Sequence, residues 1–194
     1  EKKERLVLDQ MTAACANLKS ASFILNTTER VKNGNVEKGE ILVKLLHAPL
    51  RMYLHMFAPR KAVEILYRSG ERNNELYISP NSFPYINLKL SPNSMLVRES
   101  SHHTVLDIGF DYLMKMIGHY RSAFGEKLFD YLSIADTVQF ELRSCVKMEF
   151  DYPDFAYTTQ TAKEGESLVD IAARNFVNEY MLVCANKDVE DVYD

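Results

Sequence analysis

Between residues 23 and 90 this sequence repeats one device: a short run alternating apolar and polar residues, then a turn rich in Gly, Pro, Asn or Ser. Residues 23–31 hold Thr, Ile and Val in extended alternation. Lys32-Asn33-Gly34-Asn35 is a hairpin signal, and 40–46 is the expected return strand. Pro49 then interrupts, which inside a sheet means an edge or a bulge. Leu50, Met52, Leu54 and Met56 alternate with Arg51, Tyr53, His55 and Phe57, so the two sets belong to opposite faces of one strand. Val63, Ile65 and Tyr67 predict another strand, closed by Ser69-Gly70. Residues 76–78 and 86–90 predict two short ones, and 95–98 one more. Hairpin after hairpin without a crossover helix predicts an antiparallel meander.

Helical periodicity flanks this ladder. Val7, Met11, Ala14 and Leu18 recur at three- and four-residue steps over residues 1–20, with Leu6 and Cys15 beside them. A second helix is expected after Thr104, a good N-cap with Asp107 in the first turn. Its stripe is Val105, Ile108, Tyr112, Leu113, Met116 and Ile117. Residues 124–132 suit a short third helix. Val138, Phe140 and Leu142, then Val146, Met148, Phe150 and Tyr152, predict two strands that return to the sheet before Pro153. The expected fold is α+β, a curved antiparallel sheet packed on helices over residues 1–156, with a small helical appendage over 157–194.

Composition removes several classes of function. The chain has 27 acidic and 23 basic residues and no dense Lys/Arg cluster, which argues against nucleic acid as a partner. No apolar run approaches the ~20 residues of a transmembrane helix. The chain starts at Glu1, as it would after removal of a signal peptide or trimming. Cys15, Cys145 and Cys184 are too few for a disulfide framework, and no pair has metal-ligand spacing. No nucleophile elbow, phosphate loop, zinc-protease motif or dinucleotide fingerprint is present. No cofactor, metal or catalytic residue is assigned.

In the tail, Gly165, Glu166, Ser167, Leu168, Ile171, Ala172, Val177, Leu182 and Asn186 follow a spacing that resembles a LysM module, the small βαα(β) unit with which many bacterial envelope proteins hold glycan. The resemblance implies a strand over 157–161, helices over 167–175 and 178–185, and Asn186 closing the second. It implies a peptidoglycan-binding surface from Lys163, Glu164, Gly165, Glu166 and Ser167 together with Asn186 and the residues to 188. Ala162 stands where such modules carry a valine-like residue, and the closing strand is not in the chain as given. Covering an edge of the sheet is the alternative role.

Longer segments carry a second resemblance. These are Lys44-Leu45-Leu46, Pro49-Leu50-Arg51-Met52-Tyr53, Glu64-Ile65-Leu66-Tyr67, the run from His103 through Asp107 to Phe110, and the run from Arg143 through Cys145 to Phe150. Together they resemble a family of exported bacterial proteins known as domain of unknown function 1571. That family is similar in architecture to the LolA/LolB lipoprotein carriers, which curve an antiparallel sheet around a helix and hold acyl chains in the gap. The resemblance implies an extracytoplasmic, periplasmic location and an apolar or amphiphilic ligand such as a lipid or a lipoprotein acyl chain.

Two candidate sites therefore compete. Met52, Met56, Met114, Met116 and Met148 accompany Leu, Phe and Tyr on faces expected to converge, and methionine suits surfaces that accept variable apolar guests. Met52, Leu54, Met56, Ile65, Tyr67, Ile117 and Phe140 are the expected lining, and a plain filled core is the other outcome such a stripe allows. The tail loop is the second site. His102-His103 reads as a capping loop, since adjacent histidines point apart, and Glu149 with Asp151 as an exposed strand face.

Overall fold

The computed structural model describes residues 3–30, 35–98, 103–153, 156–186 and 188. The chain forms two compact units. One comprises residues 18–109 and 167–194, the other residues 1–17 and 110–166. Both are built from helices and antiparallel strands, so the molecule is α+β.

The first unit is organised by six strands in sequential order: β1 (Ser20–Arg30), β2 (Val36–Leu46), β3 (Arg51–Ala58), β4 (Glu64–Arg68), β5 (Leu76–Ser79) and β6 (Leu88–Leu90). Every neighbouring pair is antiparallel, as the run of turn signals requires. The Asn-Gly turn expected at 32–35 lies mostly outside the described residues, but the register from Ser20 opposite Leu46 to Arg30 opposite Val36 is that of one long hairpin. The sheet is open, with β1 and β6 at its edges, so no barrel closes among the described residues.

Register turns the alternation into rows. Ala21, Leu45, Met52 and Tyr67 follow one another across four strands, and Phe23, Val43, Leu54, Ile65 and Ile78 across five. A bulge between Glu40 and Ile41 sets Ile41 opposite Met56 and adds a third row with Leu25. These side chains form one core with Leu76 and Val105, joined by Leu50, Val63, Leu90, Val97 and Ile108. Burying each large side chain contributes about 1.5–3 kcal/mol, which makes this face the main source of the unit's stability.

Three expected elements differ here. Residues 95–98 form a helical turn, α2 (Met95–Arg98), instead of a strand. The Ser91-Pro92-Asn93-Ser94 turn has already closed on itself, and the Val97 amide donates back to the Ser94 carbonyl at 3.0 Å. After Thr104 only a single 3-10 turn, Val105–Asp107, forms. Gly109, at φ +116°, then redirects the chain, and α3 starts at Phe110. The strand expected at 157–161 is absent: residues 156–163 are exposed and take no regular structure. Tail helices α4 (Leu168–Asn175) and α5 (Glu179–Ala185) do form, and they pack on each other with Ile171 and Ala172 buried.

In the second unit, α1 (Lys3–Ala16) and α3 (Phe110–Phe124) pack together. Leu8, Leu128, Phe129 and Leu132 form its core, with Met11, Ile117, Tyr120, Phe124 and Met148 against it. Leu8 lies one position off the expected stripe and is the buried residue of α1. Asp9 accepts a hydrogen bond from Arg121 at 2.6 Å, Glu126 pairs with Arg5, and both guanidiniums lie over the Phe129 ring. Residues 125–130 are 3-10 rather than α-helical. Cys15 is half-buried, and burial reinforced by Asp111 raises its thiol above the ordinary 9.0, keeping it protonated.

Strands β7 (Leu132–Phe140) and β8 (Arg143–Phe150) pair with each other as a separate two-stranded sheet. Among the described residues neither strand pairs with the six-stranded sheet, contrary to the expected return. Alternation marks a strand but carries no information about its partner, and the two residues between β7 and β8 make the local hairpin the nearest pairing.

Candidate functional site

Both faces of the six-stranded sheet carry candidate groups. On the apolar face, Met52, Leu54, Ile65 and Tyr67 sit side by side in the core, with Met52 1% and Leu54 2% exposed, and Met56 packs against them. Val97, Val105 and Ile108 pack on the same cluster. The other two lining candidates belong to the second unit. Ile117 packs against its core, and Phe140, at the end of β7, is 65% exposed.

The Val105 turn is held by reciprocal capping. The Thr104 hydroxyl accepts from the Leu106 amide at 3.2 Å, and the Asp107 carboxylate accepts from the Thr104 amide at 2.8 Å. His103 Nδ1 lies 3.7 Å from the same carboxylate. Burial alone would raise Asp107, but hydrogen bonds from His103 and Thr104 outweigh it and leave the carboxyl below its ordinary 3.8. The same contact to Asp107 raises His103 above 6.5. The pair therefore ties down the turn above the apolar face, in keeping with a capping loop; His102 lies outside the described residues.

On the opposite face, cross-strand pairing assembles groups that spacing did not single out. His55 lies opposite Glu64, and Glu64 opposite Ser79. The Tyr53 hydroxyl donates to Glu64, Asn81 Nδ2 donates to it at 3.0 Å, and His55 Nδ1 is 3.8 Å away. Hydrogen bonds from Tyr53 first and Asn81 second hold Glu64 below its ordinary 4.5. Its carboxylate in turn raises Tyr53 above 10.0. Residues eleven positions apart meet only through the β3–β4 register, so the sole sequence signal was that Tyr53 and His55 share a face.

In the tail loop, the Lys163 amide donates to the Glu166 carboxylate and the Glu166 amide to the Lys163 carbonyl, each at 3.0 Å. Lys163, Glu164 and Gly165 are exposed, and Glu166 and Ser167 half-buried. Gly165 has φ +76°, a left-handed value that suits glycine in this turn. Ser167 caps α4 in exchange with Asp170, lowering that carboxyl below 3.8 through the hydroxyl first and the amide second. Asn186 closes α5: its amide and its side-chain Nδ2 both donate to the Leu182 carbonyl, at 3.0 and 2.7 Å. Among the described residues no group of three or more His, Cys, Asp or Glu side chains could hold a metal ion, and no helix is long and apolar enough to cross a membrane.

A family model described as "Protein of unknown function (DUF1571)" matches residues 19–180. No curated protein and no solved structure matches the chain.

Proposed function

This chain belongs to the DUF1571 family, and from that premise we propose a non-enzymatic cell-envelope protein that binds an apolar or amphiphilic ligand, a lipid or a lipoprotein acyl chain. The observation that carries the reading is the unbroken apolar face of β1 to β5, centred on Met52 and Met56. Val97, Val105 and Ile108, which pack on it from outside the strands, come from short turns instead of a long helix. Even with the Val105 turn pinned by the Thr104–Asp107 exchange, a cover of so few residues opens at lower cost than a long packed helix, and an acyl chain can then take its place on the sheet. Methionine adapts to such a guest. In this reading the sheet is a LolA-like curved half-barrel, and the location is periplasmic, as the resemblance implies.

A saturable change in fluorescence when the purified protein meets an acyl-chain probe tests the reading. Val105→Ala and Ile108→Ala thin the cover and should tighten probe binding. No saturable binding, together with native mass spectra free of any co-purified amphiphile, would sink it.

The second reading is a peptidoglycan-associated protein whose LysM-like tail holds glycan while the sheet acts as a scaffold. The turn at Gly165, the capped start of α4 and the closure of α5 by Asn186 favour it. Pulldown on purified peptidoglycan decides between the two: retention abolished by changes within residues 163–167 supports the tail as binder, and retention indifferent to them leaves it a structural element.

A further inference from the structure

We infer that two copies of this chain associate edge to edge through β1, antiparallel across a twofold axis, and so join their sheets into one. β1 and β6 bound the six-stranded sheet among the described residues, and β1 is the longer, at 11 residues against 3. One bond fixes the direction of its backbone groups. The His47 amide donates to the Lys19 carbonyl at 3.0 Å, and Lys19 continues the register that sets Ser20 opposite Leu46. Hydrogen-bonded pairs alternate along an antiparallel ladder, so the odd-numbered residues of β1 bond to β2. Ser20, Ser22, Ile24, Asn26 and Thr28 therefore turn their amides and carbonyls outward, along the open edge. Charge, proline and bulges, which commonly protect such an edge, are missing from residues 20–28. The apolar face also ends unfinished here. Val43 and Leu45 on β2 are buried, whereas Phe23 and Leu25 beside them on β1 are only half-buried, and Ile24 is 47% exposed.

The sequence of β1 selects the occupant, because it is complementary to its own reverse. With Ile24 of each copy meeting at the axis, Phe23 falls opposite Leu25, Ser22 opposite Asn26, Ala21 opposite Thr27, Ser20 opposite Thr28 and Lys19 opposite Glu29. Apolar side chains meet at the centre, hydroxyls and an amide flank them, and the charges at the two ends are opposite in sign. All these pairs join residues of matching orientation, so the outward backbone groups bond across the axis. Glu29 lies opposite Glu37 on β2, so the incoming Lys19 meets two carboxylates, in a corner shared with His103. The smallest slide that keeps the backbone bonds, in either direction, parts Lys19 from Glu29. Twofold pairing leaves both apolar faces on the same side of the joined sheet. It also uses up both β1 edges, so association stops at two copies. The inference rests on the edge of β1 and stands or falls separately from the ligand reading.

The test is sedimentation velocity of the full chain over a micromolar concentration series. The parent should pass from one copy to two as concentration rises. Asn26→Pro removes an outward amide that makes no bond to β2, so the single copy keeps its fold while bonds on both sides of the axis are lost. Association should weaken by roughly tenfold or more. Lys19→Glu and Glu29→Lys each set like charges opposite one another and should each weaken association by roughly fivefold. An equimolar mixture of these two variants should regain it, since every charged pair across the axis is then opposite in sign. Circular dichroism checks the fold of each variant; should Asn26→Pro unfold, the charge variants and their mixture decide. A single copy at every concentration, association indifferent to Asn26→Pro, or a mixture that associates no better than its separate components overturns the inference. Growth beyond two copies overturns it as well, because pairing that uses up both β1 edges cannot continue.

Discussion

The two antiparallel sheets of this protein are written in the same code and end in opposite environments. β2 and β3 alternate Val43, Leu45, Met52 and Leu54 with polar residues, and all four are buried. β7 and β8 alternate Val138, Phe140, Val146 and Phe150 just as regularly, and all four are exposed. What separates them is neighbours. Each strand from β2 to β5 is flanked on both sides by another strand, and the resulting rows present one broad apolar face with Val105 buried against it. Among the described residues β7 and β8 pair only with each other, and they reach a core at the end where Leu132 and Met148 meet Leu8, Leu128 and Phe129. Two strands make too narrow a face to build a core.

The largest effect expected from this contrast is at Leu54. Leu54→Ala should lower unfolding stability by about 2–5 kcal/mol, as a cavity in a fully packed row requires, read as a shift of the urea midpoint. A loss below about 1 kcal/mol would mean that the row relaxes around the gap and is less tightly packed than its burial indicates.

Next in size is the turn above the apolar face. Thr104→Ala removes the hydroxyl acceptor of the capping box and should cost about 1 kcal/mol. In the tail, Ser167→Ala should speed amide hydrogen exchange in the first turn of α4 by roughly fivefold and leave the sheet strands unchanged. Faster exchange in β2 or β3 as well would show that the tail and the sheet open together.

The fourth expectation concerns pH. His103 is raised above 6.5, so its contribution is present below that value and is lost as pH climbs through its folded pKa. Asp107 is lowered below 3.8, so its contribution is present above 3.8 and is lost as pH falls through its folded pKa. The pair therefore stabilises most between those limits. The melting-temperature gap between parent and Asp107→Asn should be widest near pH 5–6 and should narrow above neutrality. A gap constant from pH 5 to 9 would remove His103 from the account.

The smallest effect belongs to the other sheet. Phe140→Ser should change stability by no more than about 0.5 kcal/mol, despite deleting an aromatic ring from a strand. A loss approaching that of Leu54→Ala would break the comparison between the sheets.

Much of the first unit was legible in the sequence. Alternation around Met52 and Leu54, with Ser69-Gly70 and the Asn-Gly signal as punctuation, is enough to specify a meander, because side chains two apart must share a face. The capping role of Thr104 was legible too, since a short polar side chain next to an apolar run has few other local uses, and the LysM-like spacing put Ser167 at the start of one tail helix and Asn186 at the close of the next. The cluster of Met52, Leu54, Met56, Ile65 and Tyr67 came from the same pattern. Ile117 and Phe140 fall in the other unit, a division of the chain that periodicity does not contain. The contact of Tyr53 and Asn81 with Glu64 was illegible because it arises only through strand register.

What the sequence determined by itself was therefore local: where most strands and helices run, which side chains share a face, and where a turn or helix is capped. What only the tertiary structure decided was partnership: that β7 and β8 form their own sheet, that residues 95–98 turn into a helix, and that Glu64 receives Tyr53 and Asn81. The physical reason is range. Steric and hydrogen-bonding preferences act within a few residues and are written in neighbours, whereas the choice of a strand's partner depends on the burial gained by the whole unit, which no single segment encodes.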